Sequence, residues 1–291
     1  MQYIRPRTAA EVSHLLMTGD GGARIMAGGT DLLVQLRSGM IAPKAIVDIK
    51  GLDGIACITP EDGGWRIGAA VSGQRLGEHE HVRAIWPGVV EACELIGSTQ
   101  VQGRCTMAGN LCNGSPAADS VPALIAAGAV ARIEGPDGAH DCAVEDIPEG
   151  PGKTSLRKGE FLSSVFLPGR PAGAADAYLR FIPRTEMDIA VASAAVNIEL
   201  ARDGTIRLAR IALGAVGPKV VLVQDAANAI IGSKLEDPAL KALARACEAA
   251  CNPIDDKRGT AEFRTTVAGV LARRAARIAM TRAKERAGEN P

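Results

Sequence analysis

Two segments rich in glycine and small residues are the stretches of this sequence whose residue types could bind a ligand. They are residues 24–39 and Arg104–Ser120. Consecutive small residues can point several backbone N–H groups into one anion-binding concavity, and glycine adopts positive φ at little steric cost. Main-chain amides from both segments could therefore hold the diphosphate of a dinucleotide from two sides, without Lys or Arg side chains.

Neither segment carries a common nucleotide-binding motif. Gly28-Gly29-Thr30 does not fit GxGxxG, and no Lys completes a P-loop. Asp31 would repel a phosphate, so we expect its carboxylate to turn back and cap its own helix. The spacing alone favours a tight strand-to-helix turn without a ligand. The second segment could be a long surface loop, although its Cys, Met and Leu residues argue against full exposure.

Composition excludes several classes of protein. The chain has 291 residues, of which 47% are hydrophobic and 23% charged, so two or three subdomains with a real core are expected. With 33 acidic and 33 basic residues there is no basic excess for nucleic acid or an anionic membrane. The N-terminus lacks an apolar signal core, and no apolar run reaches the ~18 residues of a membrane span. Seven irregularly spaced cysteines without an export signal indicate reduced thiols in a cytoplasmic protein.

Local patterns predict how these segments are positioned. Thr8 should cap a helix over residues 8–17, and strands at 23–27 and 45–49 should flank a helix at 31–37 that turns Leu32, Leu33 and Leu36 inward. Pro87 should begin another helix. The remaining predicted elements are hairpins at 55–67 and 130–144, a helix at 121–129, strands at 161–167, 177–184, 190–200 and 206–215, and helices at 219–231, 238–251 and 260–286, the last with a basic face in solvent. The Gly/Pro cluster at 168–174 is the expected domain boundary.

Five segments, in the same order, resemble the FAD-binding subunit of molybdenum hydroxylases, the medium-subunit family of xanthine dehydrogenase and carbon monoxide dehydrogenase. They are residues 3–12, 27–39, 106–129, 184–196 and 255–264. The resemblance spans nearly the whole chain, and the order of the segments makes it more specific than either glycine segment alone.

The resemblance implies an α+β fold with two domains. Residues 1–172 would form a two-subdomain FAD-binding domain of the vanillyl-alcohol-oxidase/PCMH type, divided into about 1–54 and 55–172. Residues 175–291 would form a C-terminal α/β domain of the carbon monoxide dehydrogenase flavoprotein type, with a three-stranded antiparallel sheet.

The resemblance also implies cofactor-binding residues. Asp119 lies where the family binds the ribose, and Ile96 matches an aromatic position near the nucleotide. Leu162 and Arg180 match positions beside the flavin, where a cation would favour the reduced anionic flavin; the alternative for Arg180 is a solvated strand residue. The implied diphosphate residues are Met26, Ala27, Gly28, Gly29, Thr30, Asp31, Leu32, Leu33, Thr106, Ala108, Gly109 and Asn110.

The function implied is electron transfer through FAD, with no catalytic acid, base or nucleophile in this chain. A large subunit would carry molybdopterin, a small one two [2Fe–2S] clusters, and an external acceptor would exchange electrons with the FAD. The assembly would be a dimer of heterotrimers. Ala108 stands where the family usually has Gly, and the first loop reads Gly-Gly-Thr-Asp rather than the Gly-Gly-His-Ser of carbon monoxide dehydrogenases. That difference favours the xanthine or hydroxybenzoyl-CoA branch.

No metal site is expected in this chain. The cysteine-rich insertion that carries a [4Fe–4S] cluster in the hydroxybenzoyl-CoA reductase branch is absent, and a cluster normally needs four thiolates. Cys247 and Cys251 are one helical turn apart, which indicates buried helix cysteines.

Two other functions stay open. A stand-alone FAD oxidoreductase of the same fold would need acid/base groups facing the flavin, yet the four histidines, at 14, 79, 81 and 140, lie outside both segments, and His79 and His81 are expected in a surface turn. A non-enzymatic nucleotide-binding or assembly module is the other alternative.

Overall fold

Three parallel strands open the fold in the computed structural model, which describes residues 1–19 and 22–288. The elements of this first region are β1 (Gln2–Ile4), α1 (Ala9–Thr18), β2 (Ala23–Met26), α2 (Thr30–Arg37) and β3 (Ala45–Asp48). The strand order is β1-β3-β2, so β2, α2 and β3 form the predicted β-loop-α-β unit. Thr8 caps α1 as predicted, because its hydroxyl accepts a hydrogen bond from the N–H of Glu11.

An antiparallel sheet with helices packed against it follows. The elements are β4 (Ile58–Glu61), β5 (Gly64–Gly68), α3 (Gly73–Gly77), α4 (Glu80–Ile85), α5 (Pro87–Glu94), α6 (Met107–Cys112), α7 (Ser120–Ala127), β6 (Val130–Gly135), β7 (Gly138–Ala143), β8 (Pro148–Gly150), β9 (Lys153–Thr154) and β10 (Phe161–Leu167). The five-stranded order β4-β5-β10-β6-β7 contains both predicted hairpins. Pro87 occupies the first turn of α5, where an N–H group has no intrahelical acceptor, so the missing N–H of proline costs no hydrogen bond.

The last region is a second antiparallel sheet covered by helices. Its elements are β11 (Ala174–Phe181), β12 (Ala192–Leu200), β13 (Ile206–Gly214), β14 (Val221–Leu222), α8 (Gln224–Asn228), α9 (Asp237–Ala249) and α10 (Ala261–Ala287). The sheet has four strands in the order β11-β12-β13-β14, so the prediction of three strands is wrong. Residues 221–222 extend along the edge of β13, and the helix predicted from residue 219 therefore begins only at Gln224.

Two apolar cores lie in this fold, and the second is built largely of alanine. Along α10 the fully buried positions include Ala268, Ala272, Ala275, Ala276, Ala279 and Ala283. The short side chain of alanine lets the helix axis approach the sheet closely, so a chain with 3% aromatic residues can still build a core from small side chains.

The basic face of α10 lies in solvent only in part: Arg274 and Arg277 are exposed as predicted, whereas two arginines nearer the end of the helix bind other elements. Arg282 forms an ion pair with Glu91 on α5 and donates a 2.9 Å hydrogen bond to the carbonyl of Asp176. Arg286 donates to the carbonyl of Ala84 at the end of α4. These arginines therefore join the last helix to the helices of the second region. Within residues 1–19 and 22–288 no helix combines the length and the apolar character that crossing a bilayer needs.

Candidate functional site

The first glycine loop turns β2 into α2. Gly29 has φ +79°, a left-handed conformation that glycine adopts at little cost, and the N–H of Leu33 makes the first intrahelical bond to its carbonyl. The preceding N–H groups of the helix have no intrahelical acceptor. Nothing in the described part of the chain accepts from the N–H of Thr30, Asp31 or Leu32. The start of α2 therefore presents free amide donors.

The two glycine loops are in direct contact at Gly28. A Cβ atom on this residue would lie 1.9 Å from the carbonyl oxygen of Arg104 and 3.2 Å from the Cα of Cys105. Only glycine leaves room for the backbone of the second loop at this point. The loop is held from its other side by the N–H of Gly73, which donates a 2.8 Å bond to the carbonyl of Cys105.

The second loop is fixed by side-chain hydrogen bonds. The hydroxyl of Thr106 caps α6 by accepting from the N–H of Gly109 at 2.9 Å. The side-chain oxygen of Asn110 accepts from both the N–H and the hydroxyl of Ser120, which ties α6 to the start of α7. Gly114 has φ +66°, and its carbonyl accepts from the N–H of Gly152. These hydrogen bonds hold the second loop through groups of the chain itself.

A cleft of about 600 Å³ lies between the two loops. Twelve of the sixteen predicted binding residues line it: Ala27, Gly28, Gly29, Thr30, Asp31, Leu32, Ile96, Thr106, Ala108, Gly109, Asn110 and Leu162. Met26, Leu33, Asp119 and Arg180 are not among the lining residues. The two segments therefore meet around an open space, as the binding of one dinucleotide requires.

The helix α2 differs from its prediction in two respects. It fully buries no residue, and Leu33 is 48% exposed, so the prediction of an inward side chain is wrong for Leu33. Leu32 and Leu36 are half-buried. The cap position is Gly29 and has no side-chain cap bond, so Asp31 does not cap the helix. Asp31 instead lines the cleft, and partial burial raises the pKa of its carboxyl group. Partial burial and a bound phosphate would both disfavour the ionised form of Asp31.

Asp119 and Arg180 bind each other. Arg180 donates a 2.7 Å hydrogen bond to one carboxylate oxygen of Asp119, and the Tyr178 hydroxyl donates a 2.9 Å bond to the other. Burial raises the pKa of Asp119 more than Arg180 and Tyr178 lower it, and burial also raises the pKa of Tyr178. Because both arginine and tyrosine lie on β11, this cluster joins the C-terminal sheet to the start of α7. The roles in ribose and flavin binding stay predictions.

Sequence reasoning missed several lining residues. The side chain of Gln35 bridges the cleft by donating a 3.3 Å hydrogen bond to Asn113 after α6. Its position four residues after Asp31 places both on one helix face, a signal that could have identified it. The cleft is also lined by apolar side chains from elements distant in sequence, which no local pattern indicates. They are Ile49, Leu156 and Phe161.

The donor set of the cleft fits a dinucleotide diphosphate. Free amides at the start of α2 offer hydrogen bonds to phosphate oxygens, and the N-terminus of a helix favours negative charge. Asp31 is the only carboxylate among the described lining residues, and its pKa is raised. The apolar walls, which include Ile96 and Leu162, suit flat ring systems.

The cysteines away from the cleft form no metal-binding group. The thiol of Cys251 donates a 3.2 Å bond to the carbonyl of Cys247, and burial raises the pKa of these thiols to about 11 and about 12. Across the described ranges, no three His, Cys, Asp or Glu side chains are arranged to hold a metal ion.

Two family models match consecutive parts of the chain. Residues 1–170 match the FAD binding domain in molybdopterin dehydrogenase, and residues 177–279 match the CO dehydrogenase flavoprotein C-terminal domain. The first match covers both glycine loops and the whole cleft. The second covers the four-stranded sheet, except for the first three residues of β11, and most of α10.

Named relatives are similar over almost the full length. The medium chain of carbon monoxide dehydrogenase from Afipia carboxidovorans is 32% identical, with 97% of each chain covered. A putative xanthine dehydrogenase FAD-binding subunit from Escherichia coli strain K12 is 31% identical, with 90% of each covered. Reconstituted CO dehydrogenase from Oligotropha carboxidovorans contains a chain with a TM-score of 0.93 and 31% identity, covering 97% of this chain and 98% of that one. The protein therefore belongs to the family of FAD-binding medium subunits of molybdenum hydroxylases.

Proposed function

We propose that this chain carries FAD between the two glycine loops and passes electrons between [2Fe–2S] clusters of a partner subunit and an external acceptor. The flavin supplies the redox chemistry, because it exchanges single electrons with clusters and two electrons with a soluble acceptor. The observation that carries the proposal is the cleft that both loops line, with free amide donors at the start of α2.

The residues of this chain would bind and orient the cofactor. The amides of Thr30, Asp31 and Leu32 would hold phosphate oxygens, and the capped N-terminus of α6 would face them from the second loop. Ile96 and Leu162 would cover apolar surface of the ring systems and exclude water. None of these roles needs a proton to move, which agrees with a site that orients a cofactor and converts no substrate.

The proposed assembly contains a molybdopterin-binding large subunit and an iron–sulfur small subunit, in a dimer of heterotrimers. The first loop, Gly-Gly-Thr-Asp, supports a substrate branch nearer to xanthine and N-heterocycle dehydrogenases or hydroxybenzoyl-CoA reductases than to carbon monoxide dehydrogenases. The similar relatives include members of both the xanthine and the carbon monoxide branches. The cytoplasmic location predicted from reduced thiols belongs to the same proposal.

Purification from the native host tests this proposal. The tagged chain is isolated and its flavin, molybdenum, iron and accompanying chains are measured. We expect one FAD per chain, together with two further polypeptides, molybdenum and iron. A chain that copurifies with FAD alone would contradict the electron-transfer assembly, and a colourless chain that cannot be reconstituted with FAD would contradict the site itself.

The alternative of a stand-alone FAD oxidoreductase has less support from the geometry. No histidine is among the described residues that line the cleft. His79 lies in the short connection between α3 and α4 and caps α4 by accepting from the N–H of Val82. His81 is exposed in the first turn of α4, and both histidines pack against the ring of Trp65. Asp31 is the only cleft carboxylate, so paired acid and base groups for substrate chemistry are missing from the described walls.

A further inference from the structure

A line of polar contacts crosses the three-stranded sheet and ends on the first glycine loop. The hydroxyl of Tyr3 on β1 donates to the carboxylate of Asp48 at the end of β3. The ammonium group of Lys50 lies 2.7 Å from the same carboxylate and donates a 3.0 Å hydrogen bond to the carbonyl oxygen of Ala27. Lys50 therefore connects the far side of the sheet to the residue that precedes Gly28.

Burial and charge fix this line of contacts. The carboxylate of Asp48 is 3% exposed, and burial alone would raise its pKa. The hydrogen bonds from Lys50 and Tyr3 outweigh that effect, so the pKa of Asp48 lies below its ordinary value. An ionised, buried Asp48 holds the ammonium group of Lys50 in one place, since a buried charge needs its partner.

Holding the Ala27 carbonyl also orients the next amide. A peptide unit is planar and trans, so the N–H of Gly28 points opposite to the carbonyl of Ala27. No group in the described part of the chain accepts from the N–H of Gly28, and both residues line the cleft. The hydrogen bond from Lys50 fixes the direction of the Ala27 carbonyl. The free N–H of Gly28 therefore points the opposite way.

We infer that Lys50 is a positioning residue for the diphosphate of FAD, acting through the Ala27–Gly28 peptide. The inference rests on the FAD site proposed above and adds a residue that neither glycine loop contains. The net charge of the Lys50–Asp48 pair is zero, so its effect comes from holding the peptide and not from attracting the phosphates.

Four variants of the full chain test this inference, with FAD affinity measured by flavin fluorescence and folding by thermal melting without FAD. Lys50→Met removes the bond to Ala27 but leaves Asp48 buried without its partner. The double change Lys50→Met with Asp48→Asn removes both charges together, so the chain keeps a neutral interior and folds. Lys50→Arg keeps a cationic donor, and Lys241→Met on α9 removes one charge far from the cleft.

We expect the dissociation constant of FAD to rise about tenfold in the double variant, as loss of a charged hydrogen-bond donor predicts. Lys50→Arg should stay within about threefold of the unchanged chain, and Lys241→Met should match it. A double variant that binds FAD as tightly as the unchanged chain would overturn the inference and leave the FAD site intact. The inference is also overturned, with the FAD site intact, if Lys50→Arg binds FAD as weakly as the double variant. An unchanged chain that binds no FAD would instead overturn the proposed function.

Discussion

The two helices that follow the two glycine loops differ in how the rest of the molecule holds them. No residue of α2 is buried, and Val34 on its outer side is 64% exposed. All eight residues of α7 are buried. The first loop therefore leads into a helix at the surface, whereas the second leads into a helix inside the protein.

The C-terminal sheet holds α7 at both ends. Tyr178 and Arg180 bind the carboxylate of Asp119 at its start. Arg210 donates to the carbonyl of Ile125 at its end, and Asn197 donates to the next carbonyl, at Ala126. Such contacts satisfy helix-end carbonyls that would otherwise lack partners.

This difference indicates that the rest of the chain holds the second loop more firmly than the first. Helices with few buried contacts open at lower free energy than helices in the core. The line of contacts through Lys50 and the Gln35–Asn113 bond help to hold the first loop. We therefore expect substitutions at the second loop to lower mainly the free energy of unfolding, and substitutions at the first loop to weaken mainly FAD binding.

The largest effect on stability should come from Asp119→Ala. The change leaves the guanidinium of Arg180 buried without its partner and releases the start of α7, so we expect the free energy of unfolding to fall by about 3 kcal/mol. Urea unfolding monitored by circular dichroism measures it. Asp141→Ala is the matched control, since it breaks the exposed pair with Arg132 and should cost at most about 1 kcal/mol. If both variants lost the same free energy of unfolding, the contacts at the start of α7 would stabilise the fold no more than an exposed ion pair does, which would contradict the difference between α7 and α2.

Gly28→Ala should have the largest effect on FAD binding. The new Cβ would meet the backbone of Arg104 at 1.9 Å, so the loops must move apart. We expect a binding loss of about 1–3 kcal/mol, the usual cost of overpacking, in a titration of the full chain with FAD. Gly150→Ala is the control, because its Cβ would meet no atom within 4 Å and its φ is not left-handed. Undiminished FAD affinity in Gly28→Ala would show that contact between the loops does not shape the site.

Local signals predicted the elements around the first loop correctly. Thr8 caps its helix, and Gly28-Gly29 between two apolar runs predicted the β-loop-α-β unit that the parallel pairing of β2 and β3 confirms. Each of these features depends on residues within a few positions of one another. Ten of the twelve predicted residues that line the cleft lie in the two glycine segments, whereas Ile96 and Leu162 lie outside them and were implied by the family resemblance alone.

Long-range features could not be predicted in this way. The spacing of Leu32, Leu33 and Leu36 indicates that they share a helix face but not whether another element covers that face. Asp119 and Arg180 are 61 positions apart, and no pattern indicates that they bind each other. The strand β14 has two residues, too few for a periodic signal.

Gly109→Ala should weaken FAD binding less than Gly28→Ala does. Its Cβ would meet only the hydroxyl of Thr106, at 2.8 Å, and that side chain can rotate while backbone cannot. Rotation removes the cap of α6, which costs about 1 kcal/mol of stability, so we expect a lower melting temperature and a loss of FAD affinity smaller than that of Gly28→Ala. Thr106→Ala should reproduce this cost without adding bulk. If Gly109→Ala lost more FAD affinity than Gly28→Ala, an added Cβ atom would displace the second loop more easily than the first.

The smallest effect should be the pH dependence that Asp31 imposes on FAD affinity. The cleft raises the pKa of Asp31, so the fold disfavours its ionised form. Its contribution to stability is therefore present at low pH and is lost as pH rises through the raised pKa. A bound diphosphate disfavours the same ionised form, so FAD affinity should fall by about threefold from pH 4 to pH 7.

Asp31→Asn isolates this pH effect. The amide is similar in size and does not ionise, so FAD affinity should be constant between pH 4 and pH 7 and equal to that of the unchanged chain at the acidic end. Asp225→Asn on α8 is the control, because it lies outside the cleft and should keep the full pH dependence. If Asp31→Asn binds FAD more weakly than the unchanged chain at pH 7, the carboxylate contributes to binding, and the first loop cannot act only through its amides.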